Sequence, residues 1–243
     1  MLKIKIITLH PDLFPGQLGS SILGEAHKKQ IWNLEVFNLR DYSKVNKRVD
    51  DVPYGGGSGM VFRPDILANA IDNITEKKPE NYKILYPTPR GKLLKQKKIV
   101  EFAKENNILL VCGRFEGIDQ RIIEHYNIAE FSIGDIVISG GELAAQILID
   151  AVVRTLPNVL GNSDSLTEES FAVNSEYENL LEYPHYTRPA IWQGYEVPQI
   201  LRSGNHQKIS EWRLNESKFT TEQKRPDLWQ LYKDNEGNKN GCN

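Results

Sequence analysis

Apolar positions recur in two rhythms along this chain. Leu2–Leu9 is a short apolar run with interleaved lysines, and it predicts a strand. Leu34–Leu39, Tyr82–Tyr86, Ile108–Cys112 and Ile128–Ile133 predict four more. Between them the spacing turns helical: over Leu18–Gln30, after the turn Phe14-Pro15-Gly16; over Asp65–Asn73, with Pro64 in the first turn; and over Leu93–Lys104, Ile118–Tyr126 and the apolar Glu142–Thr155. Alternating strands and helices predict an α/β fold on a mostly parallel sheet. The character changes near Pro157. Leu160 to Ser175 is rich in Gly, Asn, Ser, Asp and Thr, and beyond it come short helices, notably Gln207–Phe219. The expected organisation is an α/β domain over 1–160, a linker over 161–174 and an all-helical domain over 175–243, with a frayed polar tail Asn235–Asn243.

Composition excludes several classes. The chain has 243 residues, 40% hydrophobic and 26% charged, which is enough apolar material for a packed core. A net charge of −2 argues against binding nucleic acid through bulk positive charge; Ser175–Asn243 itself carries nine Lys+Arg against ten Asp+Glu. Two cysteines, Cys112 and Cys242, cannot build a disulfide framework or a four-cysteine zinc site. Cys112 ends an apolar run and reads as a small buried hydrophobe. The first residues are too charged for a signal peptide, and no run is apolar enough for a membrane span, so a cytoplasmic location is expected.

Several segments can carry chemistry. In Asp50-Asp51-Val52-Pro53-Tyr54-Gly55-Gly56-Gly57-Ser58-Gly59-Met60, glycines give a backbone that can approach a flat ligand closely, and the carboxylates disfavour a phosphate. Three glycine-bearing turns follow predicted strands: Tyr86–Gly91, Cys112–Asp119 and Ser132–Glu142. Open α/β sheets bind ligands at the carboxyl ends of their strands, so three such turns can build one pocket; each also reads as an ordinary tight turn. None is a G-x-G-x-x-G fingerprint. Finally, Thr167-Glu168-Glu169-Ser170-Phe171 reads as a helix cap or a catalytic carboxylate. Tyr183-Pro184-His185-Tyr186-Thr187-Arg188-Pro189 reads as a rigid junction or an RNA-contacting segment.

Together, Asp50–Met60, Cys112–Asp119, Ser132–Leu143 and Tyr183–Pro189 resemble the bacterial tRNA (guanine-N1)-methyltransferase family, of the SPOUT class, in order and over most of the chain. The resemblance implies a SPOUT-type parallel sheet with a deep trefoil knot, S-adenosylmethionine as donor, a homodimer, and methylation of N1 of the guanosine just 3′ of the anticodon, position 37. tRNA is then the partner, with no DNA or membrane partner. The implied cofactor residues are Tyr86, Pro87, Pro89, Gly113, Phe115, Glu116, Ile133, Gly134, Ile136, Ile138, Gly140 and Gly141. The implied substrate side comprises Asp50, Tyr54, Gly55, Gly56, Gly57, Gly59, His185 and Arg188. Arg154 matches the arginine at the reacting guanine, and Glu169 stands where the family has an aspartate as general base. The family's catalysis is associated with Mg2+, for which no ligand set stands out.

Glu169 is one methylene longer than that aspartate, so neighbouring Glu168 is an alternative base. Phe115 lacks the hydroxyl of the family's usual tyrosine, and Ser58 and Pro87 are smaller departures. Arg188, Arg202, Lys208 and Arg213 are the candidate phosphate contacts. A different SPOUT enzyme, or a non-catalytic RNA-binding module, are the competing readings.

Overall fold

The computed structural model describes residues 1–44, 46–161 and 165–240. The chain divides into two compact units, Met1–Gly161 and Asn162–Asn243.

In the first unit the strands and helices run β1 (Leu2–Thr8), α1 (Ser21–Lys28), β2 (Trp32–Asn38), β3 (Asp50–Asp51), β4 (Val61–Phe62), α2 (Pro64–Ile74), β5 (Lys83–Leu93), α3 (Gln96–Phe102), β6 (Asn107–Val111), α4 (Gln120–His125), β7 (Ala129–Ser132) and α5 (Glu142–Val153). Five strands form one sheet in the order β2-β1-β6-β5-β7, all parallel. Side-chain alternation along each strand feeds two cores. In β6, Ile108 and Leu110 face the core shared with α1, α3 and α5, while Leu109 and Val111 face the core shared with α2 and α4. The interleaved Lys5 of β1 is accommodated by its long stem: Nζ donates to the Ile74 carbonyl at 2.9 Å and lies over the rings of Phe37 and Tyr82.

Two elements depart from the sequence expectation. The helix expected over Leu18–Gln30 is a 3₁₀ turn, Gly16–Gly19, followed by α1. Gly24 packs onto the Gly19 carbonyl, where a Cβ would come within 2.3 Å. The strand expected to end at Tyr86 continues as β5 to Leu93, and the next helix starts at Gln96 rather than Leu93. Its register against β7 shifts between Pro87 and Lys92, both opposite Phe131. Pro87 and Pro89 cannot donate to a ladder, so the chain bulges there and rejoins the sheet.

The second unit contains α6 (Ser165–Glu168), β8 (Ile191–Trp192), β9 (Tyr195–Glu196), α7 (His206–Lys224) and α8 (Pro226–Asn240). It is therefore not all-helical. Gln193 and Gly194 both have positive φ, the two-residue turn that closes an antiparallel hairpin. Much of the expected linker is folded as well. The Phe171 amide donates to the Leu180 carbonyl, the Glu182 amide donates to Ser170 Oγ, and Ala172 is buried with Tyr177 and Tyr183. Of the tail expected to fray, Asn235–Asn240 continues α8, which starts at Pro226 after an Arg225–Asp227 pair. Residues 162–164 of the expected linker and 241–243 of the tail lie outside the described residues.

Candidate active site

The parallel sheet sends the carboxyl ends of β5, β6 and β7 to one edge. There the three glycine-bearing turns surround a single cavity of about 220 Å³. All twelve residues implied as cofactor contacts line it, from Tyr86 to Gly141. Sequence reading missed Thr88, Arg114, Gly117, Phe131, Ser132, Val137, Ser139 and Ala144, which line it too. Adjacency to the glycine turns was the signal for most of these. Phe131 and Ala144 are core residues whose place depends on packing.

The glycines are required by close approach. A Cβ on Gly113 would stand 2.8 Å from the Tyr86 ring, and one on Gly117 would stand 2.6 Å from its hydroxyl oxygen. Gly141 lies against Pro87 and the Cys112–Gly113 backbone, and its amide donates to the Gly113 carbonyl at 2.9 Å. The walls combine apolar side chains (Ile133, Ile136, Ile138, Phe115) with backbone polar groups and one carboxylate, Glu116. Burial pushes the Tyr86 phenol above its usual range, so it remains neutral.

The glycine-rich segment stands beside this cavity. β3 and β4 form an antiparallel hairpin that ends it on both sides. The Glu116 amide donates to the Met60 carbonyl and the Phe62 amide to the Gly117 carbonyl, both at 2.9 Å. Gly59 lies so close to Glu116 that a Cβ would come within 2.5 Å of its carboxyl oxygen. Gly55, Gly56, Gly57 and Gly59 all have positive φ, and Tyr54 is fully exposed at the loop's tip. Asp50 lies in β3, partly buried, with its carbonyl accepting from Arg48 Nε.

Arg154 caps the carboxyl end of α5 and is partly buried. Glu169 belongs to the second unit, partly buried, immediately after α6. Its neighbour Glu168 is occupied: Oε2 accepts from Tyr183 Oη at 2.9 Å and from Arg213 Nη1 at 3.0 Å. The oxygen therefore has two donors from within the second unit. Arg213 also lies over the Tyr183 ring, 4.9 Å from its centroid, and is partly buried. His185 is exposed, with Nε2 2.8 Å from Glu182 Oε1, and Arg188 is exposed nearby in sequence.

Among the described residues no group of three or more His, Cys, Asp and Glu could hold a metal ion, and no helix is long and apolar enough to cross a membrane. The fold and site define an α/β protein with a glycine-walled ligand cavity at parallel strand ends. The model of the family described as tRNA (Guanine-1)-methyltransferase TrmD matches residues 2–231, and the chain belongs to that family. Similar proteins named tRNA (guanine-N(1)-)-methyltransferase occur in Ruegeria sp. strain TM1040, 49% identical over 95% of this chain and 93% of that protein, and in Pelagibacter ubique, 48% identical over 97% and 100%. One from Wolbachia pipientis of Culex pipiens is 47% identical over 93% and 96%. Family membership makes this chain a methyltransferase enzyme.

Proposed function

We propose that this enzyme transfers a methyl group from S-adenosylmethionine to N1 of a tRNA guanosine, the one just 3′ of the anticodon. The observation that carries the cofactor reading is the convergence of three strand-end turns on one cavity, in a chain of this family. The cavity's chemistry fits the ligand: apolar walls and backbone groups suit a planar base, and Glu116 offers a carboxylate to the ligand's positive charge. Bound there, the cofactor supplies an electrophilic methyl group.

The chain supplies the rest. Guanine N1 carries a proton and is a poor nucleophile until it is lost. Glu169, at the position of the family's general base, takes that proton. Deprotonation moves negative charge onto the neighbouring carbonyl oxygen, where Arg154 stabilises it. The Tyr54–Gly59 loop, hinged on Glu116 and Gly117, flanks the base and shields it from water. His185 and Arg188 contact the tRNA.

A trefoil knot is part of this reading, on the ground of family membership. A homodimer acting in the cytoplasm is part of it too. Leu143 and Ile147, one turn apart on α5, are 60% and 47% exposed, and Val137 is 88% exposed, an apolar surface suited to a second copy.

The test is methyl transfer to unmodified tRNA transcripts with and without guanosine after the anticodon. Transfer only to the first supports the reading; equal transfer to both, or none, rejects it. Glu169→Gln is expected to lower turnover by roughly 10²–10⁴-fold with cofactor affinity nearly unchanged.

A further inference from the structure

Thr8, Arg114 and Glu142 form a network that the chemistry above does not use. Glu142 is 2% exposed although it is a carboxylate. Its Oε1 accepts from Thr8 Oγ1 at 2.8 Å and from Arg114 Nε at 3.2 Å, and Arg114 Nη2 lies 3.0 Å from Oε2. Arg114 Nη1 donates to the Ser139 carbonyl at 3.2 Å. Thr8 is itself fully buried and ends β1. One buried carboxylate thus joins the end of β1, the turn after β6, and the segment leading into α5.

Two of those three segments are cavity walls. Arg114 lies between Gly113 and Phe115, and Glu142 directly follows Gly140 and Gly141, all cavity residues. The packing between them is tight. A Cβ on Gly140 would stand 2.3 Å from Arg114 Nε, so Gly140 is shaped around the guanidinium. The contacts made through Nε, Nη1 and Nη2 need a planar fork, which lysine does not have. A buried ion pair is a poor device for stability alone, because apolar packing of the same volume is often as good or better. Its geometry ties together two segments that line one cavity.

We propose that Arg114 and Glu142 are positioning residues for the cofactor cavity, holding the Gly113–Gly117 turn and the Ser139–Gly141 turn in register before the ligand arrives. The proposal rests on the reading of that cavity as the S-adenosylmethionine site. Walls that must be ordered as the ligand binds, rather than before, cost affinity.

The experiment uses the full-length enzyme, with calorimetric titration of S-adenosylmethionine and steady-state methyl transfer to tRNA. Arg114→Lys and Glu142→Gln are expected to raise the cofactor Kd and cofactor KM by roughly ten- to a hundredfold, through lost preorganisation of the walls. The tRNA KM, and kcat at saturating cofactor, are expected to move by less than about threefold, because the reacting groups are elsewhere. A merely structural pair would instead lower melting temperature without this split. Unchanged cofactor affinity in a folded variant overturns the proposal, as does a parallel loss in kcat and both KM values. If both charge variants fail to fold, Thr8→Val, which removes one donor to the same carboxylate, decides: a cofactor Kd raised several-fold supports the clamp and an unchanged one overturns it. Failure of the wild-type enzyme to bind the cofactor overturns the reading of the cavity and the clamp with it, whereas wild-type binding matched by every variant overturns the clamp alone.

Discussion

Arg213 and Glu168, 45 residues apart, meet at 3.0 Å inside the second unit, and the Tyr183 hydroxyl donates to the same carboxylate oxygen. Burial, and then the hydrogen bond to Glu168, push the Tyr183 phenol far above its usual range, so it remains a donor at any working pH. This anchor holds the residue immediately before Glu169. Glu168→Gln is therefore expected to lower the stability of the second unit by about 1 kcal/mol, read by denaturant melts. Its turnover should stay at least about tenfold above that of Glu169→Gln. A Glu168→Gln enzyme as slow as the Glu169 variant would move the base to Glu168.

Arg188, Arg202 and Lys208 are exposed on the second unit, whereas Arg213 is partly buried and paired with Glu168. Replacing each exposed cation by glutamine is expected to flatten the slope of log affinity for tRNA against log salt by about 0.7–0.9. Arg213→Gln should alter stability more than that slope. An unchanged slope for the three exposed positions would remove them from the tRNA interface.

Gly91 sits where β5 rejoins the sheet. A Cβ there would lie 2.3 Å from the Phe131 amide nitrogen and 2.4 Å from its carbonyl carbon, and backbone cannot yield as a side-chain tip can. Gly91→Ala is expected to cost about 3 kcal/mol, at the upper end of overpacking penalties. Denaturant midpoints measure it; a loss within 0.5 kcal/mol, roughly the size of a surface change, would contradict the bulge geometry.

Cys112 is completely buried, and desolvation, then the Glu142 charge, raise its thiol well above the usual range against the opposing pull of Arg114. Because the folded value is raised, the native state holds this proton more tightly than the unfolded chain does. The resulting stability is present below the unfolded pKa of about 8.5 and is lost as pH rises through the folded value. In a Cys242→Ser background, alkylation at pH 8 is expected to be slower in the native enzyme than in denaturant by roughly a hundredfold. Equal rates would mean an accessible thiolate.

Much of the architecture is legible in the amino-acid order because it depends on local spacing. Apolar runs such as Ile108–Cys112 mark central strands, and Pro64 marks the start of α2. Glycines before and after short strands flag the cavity turns, since only a missing Cβ admits such close backbone contact. The β5 bulge was not legible, because its register depends on Phe131, some forty residues on. The β8–β9 hairpin is too short to show a period. Least visible was the charge network: Thr8 and Glu142 are 134 positions apart, and either one alone reads as an ordinary strand end or helix start. The sequence by itself determined the five strands of the main sheet and the glycine turns that follow them, because those choices are made within a few residues. Which turns face each other, and which side chains hold Glu168 and Glu142, were decided by tertiary packing, because hydrogen bonds and ion pairs join whatever the fold brings together.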